Sequence, residues 1–248
     1  MSKNGDNSDK KEHPSSPYPA WLRWFGRIVG IFLLVTFLQV LFLKWIDPPT
    51  SSFMVQRWLQ AGLHSEDSFE LIYEWRDYEE ISDMLKLAVI ASEDQRFAEH
   101  RGFDLKSIEK AIEDSRDGDR LRGASTISQQ VAKNLFLWPG GGFLRKGIEA
   151  WYTILIETFW SKKRILEIYL NIAEFGDGVY GAQAAAETYF DTRAEDLTMW
   201  QSALMATVLP NPKRFNLHRP SRYMERRRGW VINYMYYLEN RRYLGEIE

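Results

Sequence analysis

Acidic side chains, one aromatic residue and a histidine lie together just after an apolar segment of this 248-residue chain. The group begins with Glu93 and Asp94 and continues with Phe97 and His100. A carboxylate at the end of an apolar helix loses part of its hydration, and this raises its pKa towards the range of a general base. Glu93 is therefore a candidate base, although composition alone favours an exposed, acidic helix end.

A second group brings hydroxyl, amide and ammonium groups together. Helical spacing places Thr126, Gln130 and Lys133 on one face of a helix, with Ser125 and Asn134 beside them. Donors of these kinds suit the oxygen atoms of phosphates and sugars. A polar helix face in contact with solvent is the alternative interpretation.

Arg145, Lys146 and Glu149 form a third group. Arg145 and Glu149 are four residues apart, so on a helix they can form an ion pair, which at a surface contributes roughly 0.3–0.5 kcal/mol. Taken singly, each of the three groups has such an ordinary explanation. What the groups share is a combination of carboxylates, fixed cations and amide donors.

Helical periodicity predicts the elements that position these groups. Apolar residues recur at helical spacing through residues 81–92. Asp104 is a suitable N-cap for the next helix, and Thr126 with Gln129 matches a capping box that opens a third. Further helices are predicted at residues 143–160, 163–175, 181–189, 194–209 and 221–240. Because no repeat and no convincing strand alternation accompany them, the domain is predicted to be mainly α.

An apolar, uncharged stretch at residues 28–43 indicates a membrane anchor. Basic and tryptophan side chains at both ends extend it, so residues 25–46 are predicted to form one transmembrane helix. No small-residue cleavage pattern follows, which favours an anchor over a cleaved signal peptide. Basic residues are more frequent before the span than after it. The positive-inside rule therefore predicts a cytoplasmic polar tail at residues 1–24 and places residues 47–248 outside the membrane.

The composition fits one substantial folded domain plus this anchor. A net charge of -2 gives no overall field that would attract nucleic acid, and the absence of cysteine excludes disulfides and thiolate metal sites. Basic residues interleaved with Tyr and Trp between residues 213 and 242 would suggest RNA binding in a cytosolic protein. Outside a membrane, anionic lipid headgroups or a solvated helix face are the favoured interpretations. We predict no nucleic-acid partner and no site role for this segment.

Two short motifs carry little weight. Residues 107–110 match the S-x-x-K pattern of penicillin-binding transpeptidases, but no K-T-G motif accompanies them. Residues 176–181 match G-x-G-x-x-G, but the match follows a helical stretch rather than a strand. We interpret neither as a functional site.

Taken in order, the three groups closely resemble the peptidoglycan glycosyltransferases of glycosyltransferase family 51, and in particular its monofunctional, single-span biosynthetic members. The resemblance covers most of residues 50–240. The pattern E-D-x-x-F-x-x-H-x-G stands at residues 93–102, G-x-S-T-I-x-Q-Q-x-x-K-N at 123–134, R-K-x-x-E at 145–149, and a last block at 163–186. Since the K-T-G motif is missing, no transpeptidase activity is expected.

The resemblance implies a lysozyme-like, mainly helical glycosyltransferase domain preceded by one transmembrane helix. It implies an enzyme of the bacterial inner membrane, single-pass, with a cytoplasmic N-terminus and a periplasmic catalytic domain. The activity implied is polymerisation of lipid II into β-1,4-linked glycan strands for the cell wall. In this inverting reaction, a lipid-diphosphate-linked glycan chain is transferred to the 4-hydroxyl of an acceptor lipid II.

By the same resemblance, Glu93 is the catalytic base and Glu149 orients the acceptor or a cation. Lys133 and Arg145 hold the diphosphate. The other residues implied in substrate binding are Asp94, Phe97, His100, Ser125, Thr126, Gln130, Asn134 and Lys146. No cofactor is certain, and a divalent cation (Mg or Mn) at the diphosphate stays open because the acids show no ligand spacing. The partners to consider are lipid II, the growing strand, membrane lipids and proteins of cell-wall synthesis or division.

One departure from the family concerns residues 138–142, Trp-Pro-Gly-Gly-Gly, where several relatives carry a further Arg. Three explanations are open: Lys146 or another cation substitutes for this Arg, the diphosphate is stabilised less strongly, or backbone amides of the glycine-rich loop bind the anion. Two other functions are also open. A membrane-bound lytic glycosidase would use water as its nucleophile, and a tethered glycan-binding or scaffold protein would tolerate Glu93→Gln.

Overall fold

A computed structural model of the protein describes residues 19–66, 69–116 and 125–247. Most of the predicted N-terminal tail and Gly123 of the second motif lie outside the described residues. The chain divides into two compact units, Met1–Gln39 and Val40–Glu248. The second unit contains all the residues of the three chemical groups.

Helix α1, Ala20–Phe42, is long and apolar enough to cross a membrane. It begins and ends earlier in the chain than the span predicted at residues 25–46. Pro48 and Pro49 follow closely, and prolines disfavour a continuing helix. In addition, the guanidinium of Arg164 donates hydrogen bonds to the carbonyl oxygens of Leu43 (3.0 Å) and Ile46 (3.0 Å). These carbonyls therefore have a side-chain partner in place of a further helical turn.

The second unit is mainly helical, as predicted. In the described ranges its further helices are α2 Ser52–Leu63, α3 Asp83–Glu93, α4 Leu105–Arg116, α5 Ile127–Phe136, α6 Phe143–Phe159, α7 Lys162–Ile172, α8 Ala182–Phe190, α9 Met199–Ala206 and α10 Arg222–Asn240. Three very short strands, β1 Ile72–Tyr73, β2 Glu174–Gly176 and β3 Val179–Tyr180, form a sheet in the order β1-β3-β2. β3 pairs in parallel with β1 and antiparallel with β2. Strands of two or three residues are too short to show an alternating pattern in sequence.

Two predicted helices end or begin differently in the structure. The helix predicted at residues 163–175 ends at Ile172, since the next residues form β2. The helix predicted at 194–209 is divided into a short 3-10 helix, Ala194–Asp196, and α9. Thr198 and Gln201 form a capping box that begins α9, and this competing cap explains the division.

The core is built around α3, which packs against α9 and α10. Its residues from Leu85 to Ala91 are all buried, and all are apolar except Lys86, whose ammonium pairs with Asp83 at 2.8 Å. Helix α5 packs against α6 and α7, and it opens with the predicted capping box of Thr126 and Gln129. The carboxyl end of α3 and the amino end of α5 meet where the backbone N–H of Ile127 donates to Oδ2 of Asp94 (3.0 Å).

Candidate active site

Glu93 is the last residue of α3, and its carboxylate has two hydrogen-bond donors. Nε2 of Gln130 donates to Oε2 at 2.9 Å, and Oγ of Ser92 donates to Oε1 at 3.1 Å. Glu93 is half-buried and lines a pocket of about 140 Å³. The pocket is lined by Ser92, Glu93, Asp94, Gln95, Arg96, Asp104, Ser107, Ser125 and Thr126. The carboxylate is thus held in a fixed orientation at the wall of an open space.

Burial raises the pKa of Glu93 above its ordinary value. The hydrogen bonds from Gln130 and Ser92, and the positive charges of Arg227 and Lys133, act in the opposite direction without cancelling this effect. The net direction is the one that a general base working near neutral pH needs. It is also the direction expected for a carboxylate that directly follows an apolar helix.

Tyr169 of α7 determines how Gln130 meets Glu93. The hydroxyl of Tyr169 donates to Oε1 of Gln130 at 3.2 Å, and the tyrosine side chain is almost completely buried. With its oxygen occupied, the Gln130 amide directs its nitrogen at the carboxylate. Burial raises the pKa of Tyr169 well above its ordinary value, so this hydroxyl keeps its proton.

Asp94, Phe97 and His100 lie behind Glu93 and are buried. Oδ1 of Asp94 lies 2.8 Å from Nε2 of His100, while Oδ2 accepts the bond from Ile127 that joins α3 to α5. The Phe97 ring carries the ammonium of Lys162 4.4 Å from its centroid. These three side chains therefore shape the wall that supports the base.

Ser125 and Thr126 form the opposite part of the same pocket wall. Ser125 is exposed, whereas Thr126 is buried and its hydroxyl donates to the carbonyl oxygen of Gly102 at 2.7 Å. Ser125 is thus placed to meet a ligand directly. Thr126 holds the beginning of α5 against the loop that follows Glu93.

Glu149 lies buried on α6 between two cations. Its Oε2 accepts a hydrogen bond from Nη1 of Arg145 at 2.7 Å, and its Oε1 accepts one from the ammonium of Lys146. Nε of Arg145 is buried and has no hydrogen-bond partner among the described residues. The pair predicted from spacing therefore exists, but Arg145 and Glu149 are mostly buried, and the exposed Lys146 joins them in a three-member cluster.

Lys133 forms no hydrogen bond or ion pair within the described parts of the chain. It is half-buried on α5, and its ammonium lies 5.7 Å from the centroid of the Phe53 ring. Burial lowers the pKa of Lys133, attraction to Glu149 and Glu93 opposes this, and repulsion from Arg145 and Lys146 adds to it. The three donors of this ammonium are available to a ligand.

Together, Lys133, Arg145, Lys146 and Glu149 carry three positive charges and one negative charge, a balance of +2. This positive charge balances the negative charge of a diphosphate diester. Asn134 follows Lys133 on α5 and is half-buried. The cluster is therefore suited to an anionic leaving group in the neighbourhood of Glu93.

The glycine-rich segment at residues 138–142 leads into the cation cluster. Gly140 and Gly142 have φ values of 105° and 132°, and Gly142 is the residue from which α6 begins. Trp138 and Phe143, on either side of the glycines, are exposed. Arg145 and Lys146 thus both lie within the first turn of helix after this segment.

The acids of the described site are not gathered into a cluster of potential metal ligands. No group of three or more His, Asp or Glu side chains with a metal-binding arrangement occurs in the described ranges. Both oxygens of Glu149 are occupied by protein cations.

Arg227 of α10 is a site residue that the sequence did not predict. Its Nη2 lies 3.1 Å from Oγ of Ser92, and its charge acts on Glu93. A signal was present, because Arg227 follows the buried Met224 by three residues and precedes the buried Val231 by four. An arginine on the core-facing stripe of an amphipathic helix has a partner inside the fold.

Comparison with known proteins places these features in a family. A sequence model described as Transglycosylase matches residues 64–236. A protein of Xanthomonas axonopodis pv. citri (strain 306), named biosynthetic peptidoglycan transglycosylase, is 52% identical over 222 residues, which cover 90% of each chain. Proteins of the same name from Xylella fastidiosa (strain 9a5c) and Stutzerimonas stutzeri (strain A1501) are 49% and 48% identical, over 89% and 87% of this chain. The match also agrees with the lysozyme-like helical fold that the motifs imply, and the chain belongs to the transglycosylase family.

Proposed function

We propose that this transglycosylase polymerises lipid II into β-1,4-linked glycan strands for the bacterial cell wall. The family match and the names of the curated relatives support a glycosyltransferase of cell-wall synthesis. The mechanism rests on two groups whose charges act on each other. Glu93 has a pKa raised by burial, and Lys133 is a half-buried cation without an ion pair in the described ranges. One supplies a base and the other receives an anion.

In the proposed reaction, Glu93 takes the proton of the acceptor's 4-hydroxyl. The acceptor oxygen forms a bond to the donor's anomeric carbon from the side opposite the diphosphate, and the bond between that carbon and the diphosphate oxygen breaks. The electrons of the broken bond leave with the diphosphate. Attack from the opposite side converts an α-linked donor into a β-1,4 glycoside.

The cation cluster of Lys133, Arg145 and Lys146 stabilises the departing diphosphate. A glycosidase must protonate a poor leaving oxygen, whereas a diphosphate leaves without a proton if its charge is neutralised in place. Lys133 meets the anion first, since it has no competing carboxylate in contact. Glu149 keeps Arg145 and Lys146 oriented until the anion arrives.

The remaining predicted residues divide into two groups by their surroundings. Gln130 orients Glu93 through a direct hydrogen bond, and Ser125 and Asn134 are placed where they can meet sugar or phosphate oxygens. The buried residues act mainly through the positions of others, although Asp94 and Thr126 also line the pocket. These buried residues are Asp94, Phe97, His100 and Thr126.

The site of action that we propose is the outer face of the inner membrane. The anchor lies within helix α1, with the tail of residues 1–24 on the cytoplasmic side and residues 47–248 as the periplasmic domain. Membrane lipids surround the anchor, and proteins of cell-wall synthesis or division are the partners to test. A reporter fused before residue 20 and another fused after residue 247 should report opposite compartments.

The activity is tested by incubating the purified, detergent-solubilised chain with fluorescent lipid II and resolving the products on a gel. We expect a ladder of long glycans from the wild type and none from Glu93→Gln or Lys133→Ala. Lys106→Ala is the matched control, because Lys106 is exposed on α4 and takes no part in the site. Shortening of preformed strands without a ladder would favour a lytic glycosidase. If the chain carried out neither reaction, a glycan-binding protein would be favoured.

A further inference from the structure

Arg227 reaches from α10 to the residue that precedes the proposed base. Its Nη2 donates to Oγ of Ser92 at 3.1 Å and lies 3.3 Å from the carbonyl oxygen of Ser92. Helices α10 and α3 pack against each other, which fixes this approach. Within the described residues Arg227 has no ion pair, whereas the next residue, Arg228, pairs with Glu225, and Nε of Arg227 is buried without a hydrogen-bond partner.

The hydroxyl of Ser92 has one proton and two acceptors within reach. Oε1 of Glu93 lies 3.1 Å away and the carbonyl oxygen of Ala206 lies 3.2 Å away. Because Arg227 donates to a lone pair of the same oxygen, the Ser92 proton must point to one of these two acceptors. A charged carboxylate is the stronger acceptor, so ionised Glu93 takes the hydrogen bond.

Charged and titratable groups face Glu93 from three other helices. Lys133 approaches from α5, Tyr169 from α7 and Arg227 from α10, while Asp94 is its neighbour in the chain. Lys133 is the cation that we assign to the diphosphate, so its effect on Glu93 changes when substrate binds. Arg227 is held by Ser92 and keeps its position relative to Glu93.

We propose that Arg227 and Ser92 are a positioning pair that keeps the Glu93 carboxylate ionised and oriented for the acceptor hydroxyl. When Glu93 has taken the acceptor's proton, the Ser92 hydroxyl exchanges its hydrogen bond to Oε1 of Glu93 for one to the carbonyl oxygen of Ala206. This inference rests on the proposed function, in which Glu93 is the base. It assigns a role to Arg227 within residues 213–242, a segment whose composition alone favours contact with lipid headgroups or solvent.

The pH dependence of polymerisation tests the pair. Arg227→Gln removes the charge, so more Glu93 is protonated at a given pH, and activity should fall about tenfold at about pH 6 and only about twofold at about pH 8. Arg227→Lys keeps the charge and should keep most of the acid-side activity. Ser92→Ala should lose activity in the same direction as Arg227→Gln. Arg226→Gln, an exposed neighbour on α10, is the control and should leave the profile unchanged.

A thermal measurement separates this inference from the proposed function. The fall in Tm caused by Arg227→Gln is measured at about pH 8 in the wild-type chain and again in a Glu93→Gln background. Attraction between Arg227 and ionised Glu93 requires a larger fall in the wild type. Equal falls, with an unchanged pH profile, would overturn the positioning role. A chain that makes no glycan but shows the larger fall would contradict the proposed function alone.

Discussion

Nε2 of Gln130 lies 2.9 Å from Oε2 of Glu93, and through this hydrogen bond α5 holds the carboxylate at the end of α3. Tyr169 of α7 occupies the oxygen of the same amide at 3.2 Å. The orientation of the proposed base therefore depends on side chains from three helices. The carboxylate has little freedom to turn away from the pocket it lines.

Tyr169→Phe should loosen this arrangement without removing any group from the pocket wall. The Gln130 amide loses the donor that fixes its oxygen, so a smaller fraction of molecules presents its nitrogen to Glu93. We expect kcat to fall about three- to tenfold with little change in KM, and a stability loss of about 1 kcal/mol. Tyr236→Phe, on an exposed tyrosine of α10, is the control. A change in KM alone would contradict this role.

Glu93→Gln should make the folded chain more stable near neutral pH while removing activity. Burial raises the pKa of Glu93 in the folded chain, so the fold favours the protonated carboxyl over the ionised one. The stability that protonated Glu93 contributes is therefore lost as the pH rises through its folded pKa. The variant should therefore gain about 2 °C in Tm at about pH 8. Below the pKa that Glu93 has in the unfolded chain, the wild type and Glu93→Gln should have the same Tm. A variant that melts lower at every pH would show that the carboxylate is structural.

Lys133→Met should give a similar trade of activity for stability. Burial lowers the pKa of Lys133, which means that the folded protein disfavours its positive charge. We expect polymerisation to fall at least about 100-fold and Tm to rise slightly, measured by gel assay and by thermal melting. Lys106→Met should change neither. Retained activity in Lys133→Met would remove the central cation from the mechanism.

The Arg145–Glu149 pair should behave as a buried pair when one member is removed. Glu149→Gln leaves Arg145 with an uncompensated charge in a mostly buried position, so we expect a loss of about 2–3 kcal/mol in the free energy of unfolding. The double variant Arg145→Met, Glu149→Met should recover much of that stability but not the activity. Chemical denaturation of the wild type, Arg145→Met, Glu149→Met and the double variant forms one cycle that measures the coupling. Additive losses would show that the pair is not coupled.

Gly102→Ala tests the loop that supports the base. Gly102 has φ +85°, and an added Cβ would stand 2.7 Å from Cγ2 of Thr153. Backbone strain and this contact should together cost about 1–3 kcal/mol in the free energy of unfolding. Gly147→Ala, which meets nothing within 4 Å, is a control for adding a methyl group on the neighbouring helix. A stable Gly102→Ala variant with normal activity would contradict the constraint.

Much of this site was predictable because its motifs are local. The capping box at Thr126, the N-cap at Asp104 and the four-residue spacing of Arg145 and Glu149 can be read from neighbouring residues, and the structure contains all three. The mainly helical fold and the family are likewise confirmed.

Contacts between distant segments were not predictable in this way. The bond from Ile127 to Asp94 joins residues 33 apart, and that from Arg227 to Ser92 joins residues 135 apart. No local periodicity encodes such pairs. For the same reason the pairing of β1 with β3, about a hundred residues later in the sequence, was missed, whereas β2 and β3 are neighbours but too short to show an alternating pattern.

Binding and turnover of lipid II by Glu93→Gln, measured side by side with the wild type, test the central claim most directly. Our account predicts that the variant binds fluorescent lipid II within about threefold of the wild-type affinity, because the cations that hold the diphosphate are intact, and forms no glycan. Glycan synthesis by Glu93→Gln at a rate near that of the wild type would contradict the assignment of Glu93 as the base.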